Sequence, residues 1–377
     1  KSRLAQNFSV GLVLGTSVRW VQTRLFFLIL RSGIMFELEQ VPSWQKMYQM
    51  EGLLLEFQQL IWFSVKTDSP LVSICCITYN HQAYIKDALN GFKNQKTDFP
   101  VEIIISDDNS TDGTQAIIVS QISQYNDSIL FLSHDQNLRA VRNFILTIQA
   151  CNGKYIALCE GDDYWIDPYK LQKQVDFLEA HPNCTSCFHD VNYQYENGEI
   201  KPSPYKNSVE KDIYSIEDLL VKDVWTKTCS CMFVNGLINQ RLNLLDDLSI
   251  GDWPLFVLLA EKGDIGYIHE VMGVYRVHSD SLFSTIGLEK QLLAILDSRI
   301  KVNRYLNFKY KNLLMPEIYK YSYQLANYYF SQGEKKKARI YYRRCIRLQQ
   351  YHQKHSRYEL CKKYFQAIFP DSHTIGI

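Results

Sequence analysis

Two pairs of adjacent aspartates, Asp107-Asp108 and Asp162-Asp163, and a single aspartate in Gly251-Asp252-Trp253-Pro254 are the residues of this chain whose types and spacing could do chemistry. Carboxylates held a few ångströms apart raise each other's pKa, so a fixed pair calls for positive charge beside it. A divalent cation meets that need. Asp162 and Asp163 offer hard oxygen ligands of the kind Mg²⁺ or Mn²⁺ prefers, and such ions keep positions open for phosphate oxygens. A metal held there would act as a Lewis acid on a leaving diphosphate. His278, at the end of an apolar run, is a further candidate ligand. Each feature alone has a plainer reading: an Asp-Asp pair is commonly a solvated turn or helix cap, and a lone histidine is commonly packed or on the surface. Context decides between them.

From Leu71 onward, short apolar runs alternate with amphipathic segments, the pattern of βα units building a mostly parallel sheet. Leu71–Thr78, Val101–Ser106, Ile129–Ser133 and Tyr155–Cys159 read as strands. Helices are expected from Gln82 to Asn94, from the Asp107–Gly113 cluster to about Tyr125, and from Leu138 to Ala150, with another opening at Asp167-Pro168. Three polar clusters, Thr78–Asn80, Asp107-Asp108 and Asp162-Asp163, therefore share the carboxyl edge of the sheet, where open α/β folds bind ligands. Beyond Thr185 the pattern is mixed: strands at Thr185–Tyr195 and Cys229–Val234, a turn at Asn197-Gly198, a short helix at Ile216–Leu220, a helix from Gly251-Asp252 to about Lys262, and a last strand at Val271–His278. This half is expected to hold the acceptor side, with loops in 185–250 setting its shape.

The motifs Leu71-Val-Ser-Ile-Cys-Cys-Ile-Thr-Tyr-Asn-His81, Ile105-Ser-Asp-Asp-Asn-Ser-Thr-Asp-Gly-Thr114, Glu160-Gly-Asp-Asp-Tyr-Trp165, Gly251-Asp252 and Tyr275-Arg-Val-His278 together resemble the family 2 glycosyltransferases of GT-A fold, in that family's order and approximate spacing. The resemblance covers about residues 70–285. It implies an inverting transfer of a sugar from a nucleotide diphosphate sugar to an acceptor hydroxyl. By position, Thr78, Tyr79 and Asn80 match the loop that wraps the nucleotide, and Asp108 matches the carboxylate that accepts a hydrogen bond from a pyrimidine imide, which points to a UDP-sugar. Asp162 and Asp163 match the element that contacts ribose and holds Mn²⁺ or Mg²⁺, with Asp163 placed first as metal ligand and His278 added. The chain departs from the family pattern at Glu160, where many members carry aspartate, and at Ser279-Asp-Ser-Leu-Phe-Ser284, where glycines and an aromatic commonly precede serine. Asp252 matches the catalytic base; at a helix N-terminus the dipole favours negative charge. There it would deprotonate the acceptor hydroxyl as the oxygen attacks the anomeric carbon opposite the diphosphate. One such displacement inverts the centre, and no second carboxylate nucleophile is needed. Trp165 and Trp253 are candidates for stacking on a sugar, core packing being their commoner use.

The resemblance further implies surface polysaccharide or glycan assembly on the cytoplasmic side, with a glycan or lipid-linked acceptor at the inner membrane face. A sugar nucleotidyltransferase would need a glycine-rich loop with a basic residue after the first strand, which is missing. A catalytically silent scaffold acting through its helical tail is the alternative of a different class.

Composition agrees with a globular protein: 46% of the 377 residues are hydrophobic and 21% charged. Formal net charge is only +1, but residues 291–377 hold 17 Lys and Arg against 5 Asp and Glu, a local balance of +12. Such a segment is either a solvated helical face or a surface for anionic partners, membrane included. It carries no nucleic-acid-binding motif, so nucleic acid is not expected as a partner. The ten cysteines read as small core residues of a chain in a reducing compartment. Cys184-x-x-Cys187 and Cys229-x-Cys231 lack the second pair a structural zinc needs.

Residues 1–69 form an extension of unclear status: arginines at 19, 24 and 31 interrupt its apolar stretch, leaving Leu25–Leu30 too short to span a bilayer and an interfacial helix as the alternative. A GT-A unit is expected over 70–285 and a basic α-helical region over 286–377. Within the latter, Leu325, Ala326, Tyr329, Gly333, Ala338, Tyr342 and Cys345 match the spacing of one tetratricopeptide-like hairpin.

Overall fold

The computed structural model describes residues 10–14, 17–21, 59–63, 69–122, 128–221, 226–279, 286–351 and 356–367. Six elements build the first half of the sheet domain: strands β1 (Val72–Thr78), β2 (Val101–Asp107) and β3 (Ser128–Ser133), and helices α1 (Ile85–Lys93), α2 (Thr114–Ile122) and α3 (Ala140–Ala150). They are followed by β4 (Tyr155–Leu158), β5 (Tyr164–Trp165), α4 (Lys170–Ala180), β6 (Cys184–Tyr195), β7 (Ile200–Pro202), β8 (Ile213–Tyr214), α5 (Ile216–Val221), β9 (Met232–Val234), α6 (Asp252–Ala260) and β10 (Asp264–Val277). Four helices follow among the described residues: α7 (Gly287–Tyr305), α8 (Lys311–Ser331), α9 (Lys335–Leu348) and α10 (Arg357–Gln366).

The sheet runs β8-β10-β6-β9-β4-β1-β2-β3, and short strands at 10–14, 17–21 and 59–63 continue it past β3. Strands β4, β1, β2 and β3 are mutually parallel; β9 lies antiparallel between β4 and β6; β10 runs parallel to β6. The chain moves from β1 outward through β2 and β3, then returns to place β4 on the other side of β1. That reversal makes the β1/β4 boundary a topological switch point, where the loops leaving the two strands diverge and open a crevice.

Because successive side chains of a strand point to opposite faces, β1 and β2 feed two cores. Cys75 and Ile104 join the layer under α3, α5 and α6, whereas Ile74, Cys76, Ile103 and Ile105 pack with α1, α2 and α4. Burial on both faces is why these strands read as continuous apolar runs. Nine of the ten cysteines are buried free thiols, and no helix among the described residues is long and apolar enough to cross a membrane. Helices α8 and α9 form an antiparallel hairpin that buries Leu325, Ala326, Tyr329, Ala338, Tyr342 and Cys345. It turns at Gly333, whose φ of 73° only glycine adopts without strain. Val302 of α7 and Leu314 of α8 enter the core under α6, joining this helical layer to the sheet.

Three sequence expectations are corrected. The run Cys229–Val234 is a strand only from Met232, because Thr228–Ser230 forms a 3₁₀ turn whose carbonyls are captured by side chains: Trp165 Nε1 donates to Cys229 O at 2.8 Å and Gln174 Nε2 to Ser230 O at 2.9 Å. Helix α4 opens at Lys170 rather than at Asp167-Pro168, since the Asp167 carboxylate accepts the Tyr169 N–H at 2.8 Å and holds a turn first. Strand β10 begins at Asp264 rather than Val271: register shifts between Ile268 and Gly273 expose His269 and Glu270 and break the alternation that would reveal it. The helix expected to run to Tyr125 is described to Ile122, and the expected end of the GT-A unit at residue 285 and the segment Leu25–Leu30 lie outside the described residues.

One core residue is out of place by type. Lys170 is fully buried, its Nζ sits 3.7 Å from the centroid of the Trp165 ring, and it has no hydrogen-bond partner. Burial lowers its pKa to about 8. The folded state thus binds this proton less tightly than the unfolded chain, where lysine titrates near 10.4. Below about pH 8 both states are charged and the full burial penalty stands; as pH rises from 8 to about 10.5 the penalty is relieved and stability increases. Lys170→Met is expected to raise the unfolding free energy at pH 7 by ~2–3 kcal/mol and to abolish that rise. Chemical denaturation at pH 7 and in the alkaline range checks both.

Candidate functional site

The loops after β1 and β2 brace each other at the switch point. Asn80, at φ 55°, donates its backbone N–H to Ser110 Oγ at 2.8 Å, and its Oδ1 accepts the Thr111 N–H at 2.8 Å. Gln82 repeats the exchange with Asp112 and Gly113 at 3.0 and 2.8 Å. The aspartates of the first pair separate. Asp107 is fully buried and organises the loop, accepting from the Ser110 N–H at 2.9 Å and from Gln115 Nε2 at 2.6 Å. Asp108 turns toward the start of α3, where its Oδ1 accepts the Leu138 N–H at 2.7 Å. Burial raises its pKa, with the Leu138 N–H opposing. Thr78 is buried beside His81, its Oγ1 3.2 Å from Nδ1, and Tyr79 is half-buried at the loop's edge.

The second acidic cluster leaves β4. Gly161 lets it lie flat on the end of β1: its N–H donates to Ile77 O at 2.9 Å, and a Cβ there would sit 2.7 Å from Thr78 Oγ1 and 2.9 Å from Ile85 Cδ1. Glu160, Asp162 and Asp163 then converge, one ligand atom from each lying within 4.8 Å of the others. Asp162 keeps 18% side-chain exposure and faces two imidazoles, His278 Nε2 at 3.2 Å and His81 Nε2 at 3.7 Å. The Tyr84 ring lies against His278, tilted by 41° with its centroid 4.6 Å away. Burial works against the Asp162 charge, but His81 and His278 outweigh it and its pKa falls. Burial, then the Asp162 charge, pushes Asp163 up; burial, then Asp162, Asp163 and Asp252, does the same to Glu160. A convergence of carboxylates short of positive charge, with an imidazole at its rim, fits a hard divalent cation.

Asp162 and Asp163 differ in setting: Asp162 is the more exposed, whereas the buried Asp163 keeps its Oδ2 without a hydrogen-bond partner. Asp163 is 1% exposed, its Oδ1 accepts the Arg276 N–H at 2.8 Å, and the Cys229 thiol lies beside it. Asp252 is exposed on the first residue of α6, close enough for its charge to act on Glu160. Trp165 and Trp253 are core residues, 3% and 5% exposed; Trp253 carries the Arg299 guanidinium 3.3 Å from its ring centroid.

Sequence reasoning assigned no role to His81, Tyr84 or Arg276, although His81 and Arg276 stand inside the motifs. Arg276 ties three elements to the acidic loop. Its Nη1 donates to Asp162 O at 2.8 Å, its Nε to Gln194 Oε1 at 3.1 Å and its Nη2 to the Asp87 carboxylate. The guanidinium also lies 4.4 Å from the Tyr164 centroid and 5.1 Å from that of Tyr84. A signal for it existed: Arg276 sits two residues before His278, and strand residues two apart share a face.

Residues 73–235 match the model of glycosyl transferase family 2. The uncharacterized glycosyltransferase MJ1057 of Methanocaldococcus jannaschii is 30% identical over 234 residues, covering 59% of this chain and 77% of that one. The uncharacterized protein Rv1520 of Mycobacterium tuberculosis is 38% identical over 224 residues, 58% of this chain; the match spans 62% of that relative's length. Among solved structures, TarS 1–349 of S. aureus, in complex with UDP-GlcNAc, superposes with a TM-score of 0.56 at 16% identity, covering 78% of this chain and 88% of that one. That likeness is one of fold, the GT-A arrangement of a mostly parallel sheet between helices. With the motifs at the switch point, the family model and the match to MJ1057 in agreement, the chain belongs to glycosyl transferase family 2.

Proposed function

We propose that this chain transfers a sugar from a UDP-sugar to an acceptor hydroxyl with inversion at the anomeric carbon, using a divalent cation, in the assembly of a surface polysaccharide or related glycan. The observation that carries the reading is the convergence of Glu160, Asp162 and Asp163 at the β1/β4 switch point, with Asp252 exposed at the start of α6 and its charge felt by Glu160. Asp163, through its unpartnered Oδ2, and Asp162, with Glu160 beside them and His278 at the rim, would hold Mn²⁺ or Mg²⁺. When bound, the cation supplies charge that offsets the departing diphosphate.

The chain's own residues account for the remaining roles. The braced loops holding Thr78, Tyr79, Asn80 and Asp108 form the nucleotide's bed. Asp108, buried and fixed by the Leu138 N–H, retains acceptor capacity for an imide N–H, which uracil has and cytosine lacks. Asp252, exposed and free to meet an incoming hydroxyl, takes its proton as the oxygen attacks. The acceptor is a glycan or lipid-linked sugar, met by a cytoplasmic enzyme at the membrane face.

Titration calorimetry with UDP, with and without Mn²⁺, tests this reading on the native chain and on Asp162→Ala. Expected is UDP binding that strengthens at least ~10-fold with Mn²⁺ and loses that gain in the variant. If UDP, dTDP and GDP all failed to bind the native chain with metal present, the enzyme reading would be abandoned.

A further inference from the structure

Helix α9, Lys335–Leu348, has seven Lys and Arg and no acidic residue. Its inner face, Ala338, Tyr342 and Cys345, is buried against its neighbours. At 3.6 residues per turn, the opposite face carries Lys336, Ile340, Arg343 and Arg347, spaced i, i+4, i+7 and i+11, and all four are exposed. Ile340 at 61% exposure is an apolar residue set among cations.

Helix α10 continues this surface. It buries Leu360 and Ala367 and turns outward Tyr358, Lys362 and Phe365, again one helical face; Tyr358 is 70% and Phe365 55% exposed. The two helices meet where Arg343 Nη2 donates to Tyr364 Oη at 3.0 Å. A solvated face needs no large apolar residues, and a nucleic-acid groove would leave Ile340 without use. Cations interleaved with exposed Ile, Tyr and Phe match the interface of an anionic bilayer, where basic groups meet headgroup phosphates and apolar tips enter the acyl boundary. We infer that the outer faces of α9 and α10 dock the chain on an anionic lipid surface. This goes beyond the donor-site reading and does not depend on it, since no residue of the acidic cluster takes part.

Vesicle co-sedimentation tests the inference, with phosphatidylcholine vesicles either neutral or containing phosphatidylglycerol. The full chain should sediment with the anionic vesicles and not the neutral ones, and should be released as salt shortens the screening length. Lys336→Glu/Arg343→Glu/Arg347→Glu should weaken binding by ~100-fold or more, Ile340→Ser by ~5-fold, and Lys262→Glu, on the sheet domain, should change it little. Circular dichroism on the same samples reports folding, and UDP calorimetry reports the donor site separately. Equal binding to both vesicle types, no binding to either, an unaffected triple variant, or capture by single-stranded RNA without vesicle binding would each overturn the inference. Should the triple variant unfold, the salt titration of the native chain and Ile340→Ser still decide it.

Discussion

Asp252→Asn is expected to lower kcat for sugar transfer by ~10³-fold while leaving UDP affinity, with and without Mn²⁺, within ~2-fold of the native value. The asymmetry follows from placement. Asp252 is an exposed residue on the first turn of α6, outside the carboxylate convergence, and the hydrogen bonds that brace the loops run between Asn80, Gln82, Ser110, Thr111, Asp112 and Gly113. Asparagine keeps its size and polarity but cannot accept the acceptor's proton, so the loss falls on the chemical step. Steady-state transfer and UDP calorimetry on one preparation separate the two effects. A variant with near-native turnover would remove Asp252 from the base role and direct attention to Glu160, the other carboxyl within reach of its charge. A variant that lost UDP binding would instead make Asp252 part of the donor site.

The elements that position the site were legible in the sequence for a definite reason. Strands β1, β2 and β4 are buried on both faces, so they read as unbroken apolar runs, and each polar cluster follows where a run stops. The hairpin α8–α9 was legible through its period. What stayed hidden depended on partners distant in sequence. That Asp163 Oδ1 is held by the backbone N–H of Arg276 is set 113 residues away, and no local pattern reveals which of two adjacent carboxylates a later strand will hold. The division between Asp107 and Asp108 depends likewise on Leu138. The first half of β10 was missed because a bulge breaks the alternation, and Thr228–Ser230 because Trp165 and Gln174 claim its carbonyls.

Arg276→Ala should reduce kcat/KM by ~100-fold and raise the Mn²⁺ concentration needed for half-maximal activity by ~10-fold, with a partial return in Arg276→Lys. The guanidinium is 9% exposed and holds the Asp162 carbonyl, Gln194 of β6 and Asp87 of α1 at once, while its own backbone N–H fixes Asp163. Alanine keeps the backbone contact and loses the fork, so Asp163 stays in place but the carbonyl of Asp162 loses its donor. An unpaired buried acceptor costs about 1–3 kcal/mol, enough for the loop to shift toward water and carry the Asp162 carboxylate with it. Lysine restores the charge but not three directed N–H groups, which is why its return is partial. Loss of stability alone would lower the active fraction without moving the metal titration. A native Mn²⁺ dependence in Arg276→Ala, together with a reduced Tm, would therefore leave Arg276 as a packing residue; a displaced metal curve in a folded variant would make it the residue that positions Asp162.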